Sequence, residues 1–174
     1  VVLRDGRNNV ANSLMLGCAK AGVHFVNCTP EQLSPRPELV SAAARIGERN
    51  GSLVTVEHNP ARAAEGANAI YTDVWISMGE EAKLEERIAL LKPYQVNMEL
   101  MQCTGNLEKD LVIFLHCLPA FHDEQTDLTR ERGAMEVTDE VFEASFSRVF
   151  DQAENRMHTI KAVYVAALAD RLGS

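Results

Sequence analysis

The sequence lacks three features that would have assigned the protein to a large class. No apolar run reaches the roughly 18 to 20 residues that a membrane-spanning helix requires. The first six residues, Val1 to Gly6, do not have the layout of a signal peptide. Positive charge is also scarce, since 17 Lys and Arg residues face 25 Asp and Glu residues and leave a net charge of −8. We therefore expect a cytoplasmic protein with neither a membrane nor a nucleic-acid partner.

Motifs for metals and cofactors are missing as well. The four cysteines, Cys18, Cys28, Cys103 and Cys117, form no C-x-x-C pair, which disfavours a structural zinc site. No G-x-G-x-x-G run is present, which disfavours a nicotinamide cofactor. The sequence thus predicts no metal and no cofactor. Most of the cysteines are expected to be small buried core residues, but Cys117 is an exception because it follows an apolar run and lies beside His116.

What the sequence does contain is an alternation of apolar runs and helix-like stretches. Its 174 residues, 46% hydrophobic and 24% charged, fit one globular domain. The runs that predict strands are 1–3, 24–28, 53–57, 69–72 and 111–115. Almost continuously apolar strands between helices indicate an α/β fold, a Rossmann-like, doubly wound parallel sheet of about five strands with helices on both faces. The expected strand order is 3-2-1-4-5.

Proline and glycine mark the expected helix boundaries. Pro37 predicts a helix that ends near Asn50 and Gly51, and Pro60 predicts a short helix that ends near Gly66. The last segment, 152–172, carries an apolar stripe at helical spacing. This segment is either a well-buried terminal helix or a helix that docks onto a second domain or subunit.

Polar residues follow three of the predicted strands, at the edge where an open α/β sheet binds its ligands. After the first strand, Asn8 and Asn9 offer amides at a helix N-terminus, which suits a carboxylate but also an ordinary helix cap. After the fourth, Asp73 offers a carboxylate for a cationic amine, or caps the next helix. After the fifth, Cys117 follows His116, but adjacent strand residues point to opposite faces, which argues against a dyad. Together these clusters predict an amino-acid pocket.

Four stretches together form a specific combination of motifs. They are Asp5-Gly6-Arg7-Asn8-Asn9, Thr72-Asp73-Val74-Trp75-Ile76-Ser77-Met78-Gly79, His116-Cys117-Leu118-Pro119-Ala120-Phe121-His122-Asp123 and Glu154-Asn155-Arg156-Met157-His158-Thr159-Ile160. In this order they resemble the carboxy-terminal, ornithine-binding half of the ornithine carbamoyltransferase family, and the resemblance covers nearly the whole chain. Aspartate carbamoyltransferases share the fold but lack the motif His-Cys-Leu-Pro, so the ornithine branch is preferred.

The resemblance implies transfer of a carbamoyl group from carbamoyl phosphate to the δ-amine of L-ornithine, which gives citrulline and phosphate. It also implies how the pocket would hold the amino acid. Asn9, Ser77 and Met78 would grip the carboxylate end, and Asp73 would hold the α-ammonium group. On this basis residues 1–174 are expected to form an ornithine-binding domain.

The same resemblance implies the catalytic groups and the partners. Cys117 and the carbonyl of Leu118 would orient the δ-amine, and Arg156 would reach carbamoyl phosphate. An amino-terminal carbamoyl-phosphate domain would complete the site, with helix 152–172 docked on it, and the intact enzyme would be a homotrimer. No metal is implied, because amine attack on an activated mixed anhydride needs mainly orientation and charge stabilisation.

The sequence departs from the family pattern in three ways, one of which is that the stretch 124–134 is several residues shorter than the resemblance implies. Arg4 stands where the family is expected to have glycine, and we expect this bulky cation to disturb the approach of the first strand to the pocket. The family's carbamoyl-phosphate motif, Ser-Thr-Arg-Thr, does not occur in the 174 residues. We therefore expect the chain to be inactive alone. The alternatives are a non-catalytic α/β module that binds an amino acid or a partner protein, and a nucleotide-binding protein, which the missing glycine motif disfavours.

Overall fold

The fold is a five-stranded, wholly parallel sheet between two layers of helices. The computed structural model describes residues 1–75 and 84–172. Within them the sheet has the order β3-β2-β1-β4-β5, which confirms the predicted order and the α/β fold class. The predicted runs match well, although the last strand begins two residues later and extends to His116. The strands are β1 (Val2–Leu3), β2 (Phe25–Cys28), β3 (Val54–Glu57), β4 (Ala69–Thr72) and β5 (Ile113–His116).

The helices begin and end largely where proline, glycine and asparagine predict. Helix α2 begins at Pro37 and is closed by Gly51, whose φ of +74° favours glycine. Two short 3-10 helices, Glu31–Leu33 and Lys92–Tyr94, lie between longer elements. The α-helices of the described part are α1 (Asn9–Ala21), α2 (Pro37–Asn50), α3 (Pro60–Ala64), α4 (Leu84–Leu91), α5 (Met98–Cys103), α6 (Asp127–Arg132), α7 (Asp139–Phe142) and α8 (Val149–Leu172).

Successive strand residues point alternately into two separate hydrophobic cores, as a parallel sheet covered on both faces requires. On one face α1 and α2 pack against the strands, and the buried residues are Val2, Ala11, Met15, Ala19, Phe25, Ala43 and Tyr71. On the other face the core is larger, and its central residues are Leu3, Ile70, Val96, Leu100, Met101, Phe114, Val137 and Val141. The sheet is therefore packed on both faces, and this packing positions the ends of its strands.

The last helix, α8, begins at Val149, three residues before the predicted start, and is 24 residues long. Its beginning packs near β5, but residues 153–169 are all exposed. The alternative of a well-buried terminal helix is therefore wrong for this chain. Along the described residues, no helix combines the length and the apolar character needed to cross a membrane.

Candidate functional site

The candidate site lies at the carboxyl ends of β1, β4 and β5. The strand order reverses at β1, since β2 pairs with one side of this strand and β4 with the other. This reversal is the usual place for a ligand in an open α/β sheet. Asp73 follows β4 directly, and Cys117 follows β5 directly, so the sheet brings these two predicted residues together.

Asp73 is the centre of the site. It is only 5% exposed, and its Oδ1 accepts a hydrogen bond from the thiol of Cys117 at 2.9 Å and one from the backbone N–H of Val74 at 2.7 Å. Its Oδ2 is ion-paired with the guanidinium of Arg4, which is itself 2% exposed. Both oxygens of the predicted ammonium-binding carboxylate are therefore occupied by groups of the chain.

Arg4 does not displace the first strand, contrary to our expectation. Its backbone N–H donates to the carbonyl of Cys28 at 3.1 Å, so the pairing of β1 with β2 continues through this residue. The side chain instead enters the site at the end of the strand. Burial lowers the pKa of Arg4 to about 10, which leaves the guanidinium charged at neutral pH.

The turn after β1 is held by a second group of charges. Asp5 accepts hydrogen bonds from the backbone and side chain of Arg7 and is ion-paired with Arg87 on α4. Burial by itself would raise the pKa of the Asp5 carboxyl, but the hydrogen bonds from these two arginines outweigh it and hold the pKa below its ordinary value. At Gly6 any Cβ would lie 2.8 Å from Cδ of Pro35, so this turn requires glycine.

The two asparagines stand at the start of α1, as predicted. Asn8 is the N-cap, and its Oδ1 accepts from the backbone N–H of Val10 at 2.8 Å. Asn9 is the first residue of the helix and is exposed, with its own Oδ1 2.9 Å from the same N–H group. Asn8 therefore accounts for the cap, and the amide of Asn9 faces solvent.

His116 and Cys117 point to opposite faces of the sheet, so they do not form a dyad. His116 is fully buried, and its Nε2 lies 3.2 Å from Oε1 of Glu136, which is also fully buried. The Nδ1 of His116 accepts from the backbone N–H of Leu118 at 2.9 Å. Leu118 has a φ of +57°, so the imidazole stabilises an uncommon backbone conformation at the residue after Cys117.

Sequence reasoning missed three contributors to the site. The pairing of Arg4 with Asp73 and the pairing of Glu136 with His116 both join segments far apart in the chain. Tyr71 is the third. Burial raises the pKa of its phenol, and the neighbouring Cys117 raises it further. The position of Tyr71 next to the end of a predicted strand could have marked it as a site residue. No local pattern in the sequence predicts the two pairs.

The remaining predicted residues are Ser77, Met78 and Arg156. Ser77 and Met78 lie outside the described residues. Arg156 lies on the exposed part of α8, two turns after the helix begins. Among the described residues no hydrogen bond or ion pair joins it to Asp73 or Cys117.

One group of side chains has the composition of a metal site. The ligand atoms of His122, Asp139 and Glu143 lie within 4.8 Å of one another, and His122 stacks on Phe142 with ring centroids 3.7 Å apart. Both acidic residues are exposed, and exposed acidic groups commonly cluster without a metal. The cluster is thus not assigned a ligand.

Comparisons with known proteins agree with this geometry. Residues 1–167 match the family model described as aspartate/ornithine carbamoyltransferase, Asp/Orn binding domain. The catabolic ornithine carbamoyltransferase of Bacillus licheniformis is 55% identical over an alignment of length 172 that covers 95% of this chain and 50% of the relative. The chain thus spans about half the length of the curated relatives it matches.

Solved structures give the same result. The ornithine carbamoyltransferase from Pyrococcus furiosus superimposes with a TM-score of 0.80 at 40% identity, covering 94% of this chain and 47% of that one. The enzyme from Gloeobacter violaceus gives 0.78 at 41% identity, covering 96% and 50%. The parallel sheet, the residues at its carboxyl edge and a match over residues 1–167 lead to one conclusion: the chain belongs to the aspartate/ornithine carbamoyltransferase family.

Proposed function

We propose that residues 1–174 are the ornithine-binding half of an ornithine carbamoyltransferase. The reaction transfers a carbamoyl group from carbamoyl phosphate to the δ-amine of L-ornithine and yields citrulline and phosphate. The observation that carries this proposal is the 2.9 Å contact between Cys117 and Asp73, because it joins a thiol and a buried carboxylate across adjacent strand ends. A pocket for a diamino acid needs one charged group that anchors the first amine and another group that orients the amine that reacts.

The chemistry requires a neutral amine. The nitrogen lone pair attacks the carbamoyl carbon, the bond from this carbon to the phosphate oxygen breaks, and the nitrogen loses a proton. In our proposal Cys117 and the carbonyl of Leu118 orient the δ-amine, since both groups lie beyond β5. The buried pair of His116 and Glu136 supports this segment from the opposite face.

The other end of the amino acid is assigned to polar groups around α1 and β4. Asp73 would hold the α-ammonium group, and the exposed amide of Asn9 would hold the carboxylate. Ser77 and Met78 complete the carboxylate site in this proposal. Orientation and charge stabilisation supply most of the catalysis for such a reaction.

The remaining assignments need a second half of the enzyme. Arg156 would contact carbamoyl phosphate, and α8 would dock on an amino-terminal carbamoyl-phosphate domain. Support comes from the exposed apolar side chains of α8, with Met157, Val163 and Tyr164 between 60% and 67% exposed. The same proposal includes a homotrimer in the cytoplasm.

Citrulline formation tests the proposal. The purified chain of 174 residues should form no citrulline from carbamoyl phosphate and ornithine, because most contacts to one substrate are missing. A fusion protein in which this chain replaces the matching half of the Bacillus licheniformis enzyme should form citrulline. The same fusion with Cys117→Ala should turn over at least about tenfold more slowly. An inactive fusion that folds, or citrulline formed by the chain alone, would contradict the proposal.

A further inference from the structure

Arg4 occupies the position in the site where a ligand cation would be expected. It follows β1 directly, and its backbone stays in the sheet through the hydrogen bond to Cys28. The side chain is fully enclosed, although arginine is among the residues that are least often buried without a partner. A buried arginine at the ligand-binding edge of a sheet is therefore expected to affect ligand binding.

Among the described residues, Asp73 is the side chain that pairs with its guanidinium. Its Nη1 contacts Oδ2 of Asp73, while its Nε is buried and has no hydrogen-bond partner among the described residues. A structural arginine would normally have its donors satisfied, since an unpaired buried donor costs roughly 1 to 3 kcal/mol. The carboxylate of Asp73 is thus the anion that pairs directly with this arginine.

The carboxylate of Asp73 has little capacity left. Oδ1 already accepts from Cys117 and Val74, and Oδ2 is taken by the guanidinium. An alkylammonium group seeks the same anion as a guanidinium and the same space beside it. Because Arg4 is covalently attached, it competes at every ligand concentration.

We propose that Arg4 is an internal competitor for the cation site of Asp73 and thereby determines ligand specificity. This inference rests on the proposed function, in which Asp73 anchors the α-ammonium group of ornithine. With Arg4 in place, the α-ammonium group must displace the guanidinium before it can contact Asp73, so this contact adds little to the net affinity. The pocket then accepts ω-amino carboxylates, which carry a carboxylate and a terminal amine, as readily as a diamino acid.

The experiment compares two ligands that differ only in the α-amine. L-Ornithine and 5-aminopentanoate are titrated into the chain by calorimetry or NMR. The unmodified chain should bind the two within about twofold of each other. Arg4→Ala should bind L-ornithine at least about tenfold more tightly than the unmodified chain, since a hydrogen bond to a charged group is regained. Its affinity for 5-aminopentanoate should change less than about threefold.

Two control variants separate charge from volume. Arg4→Lys keeps a cation next to Asp73, so it should show no gain for L-ornithine. Arg62→Ala removes the same charge from an exposed ion pair with Glu57 and should leave both affinities unchanged. Equal gains for both ligands in Arg4→Ala would overturn the inference, because they would show that the side chain only fills space.

The outcomes also separate this inference from the proposed function. If Arg4→Ala fails to fold, the unmodified chain decides, and a tenfold preference for L-ornithine there overturns the inference. If the unmodified chain and Arg4→Ala bind L-ornithine equally, the inference fails while the amino-acid pocket stands. If neither ligand binds the unmodified chain or any folded variant, the amino-acid pocket fails and the inference with it.

Discussion

Around Asp73, charged side chains are buried and paired with one another, whereas along α8 apolar side chains are exposed. Arg4 is 2% exposed, but Val163 is 67% exposed. Both environments are unusual, since proteins mostly expose charge and bury apolar groups. The first region pairs its charges with one another, so a cation of the chain already contacts its carboxylate. The second region leaves its apolar groups without cover, so it is suited to a partner.

The largest effect is expected where charge is buried. Asp73→Ala leaves the guanidinium of Arg4 enclosed without an anion, which should lower the free energy of unfolding by about 3 to 5 kcal/mol. Urea unfolding of the 174-residue chain measures this loss. The matched control introduces Asp73→Ala into a chain that already carries Arg4→Ala. In that background Asp73→Ala should lower the free energy of unfolding by much less. An equal cost in both backgrounds would show that the pair is not coupled.

A smaller and pH-dependent effect is expected at Asp5. Its pKa in the folded chain lies below the unfolded value near 3.9, so the ionised carboxylate stabilises the fold above that pH. This stabilisation is lost as the pH falls through the folded pKa. Asp5→Asn should therefore lower the free energy of unfolding by about 1.5 to 3 kcal/mol at pH 7, and by progressively less as the solution becomes acidic.

Thermal or urea unfolding between pH 3 and pH 7 measures this difference. Asp123→Asn serves as the control. A loss of stability for Asp5→Asn that is the same at every pH would contradict the role given to its carboxylate.

The smallest effect on stability is expected on α8. Val163→Ser removes an exposed apolar side chain, so the free energy of unfolding of the chain should change by less than about 0.5 kcal/mol. The same change should weaken association with the carbamoyl-phosphate half, if α8 docks there. Lys161→Gln, on the same exposed helix, is the matched control. A large loss of stability would show that Val163 is buried in solution, and unchanged association would count against docking.

The sequence predicted the sheet well because its signals are local. Apolar runs, Pro37 and Gly51 mark element boundaries without reference to the rest of the chain. The opposite directions of His116 and Cys117 also follow from the period of a strand. These signals placed Asp73 and Cys117 at strand ends, and the parallel topology then brought them together.

The partners of buried charges were not predictable in this way. Arg4 and Asp73 are 69 residues apart, and His116 and Glu136 are 20 residues apart in segments of different kinds. No period or cap relates such positions. The exposure of α8 was left open between two alternatives for a similar reason, because an apolar stripe has the same pattern whether its cover lies in the same chain or in another.

The position of β1 in the middle of the sheet also constrains the order of folding. Val2 pairs with Asn27 on one side and with Tyr71 on the other. The second pairing closes a much longer loop, and closing long loops is slow because the entropy is lost before the contact is gained. Both neighbours of β1 are parallel to it, so this strand cannot start to fold as part of a local hairpin. We expect the β1 and β2 pair to form early and the junction of Arg4 with Asp73 to form late, as β4 completes the sheet.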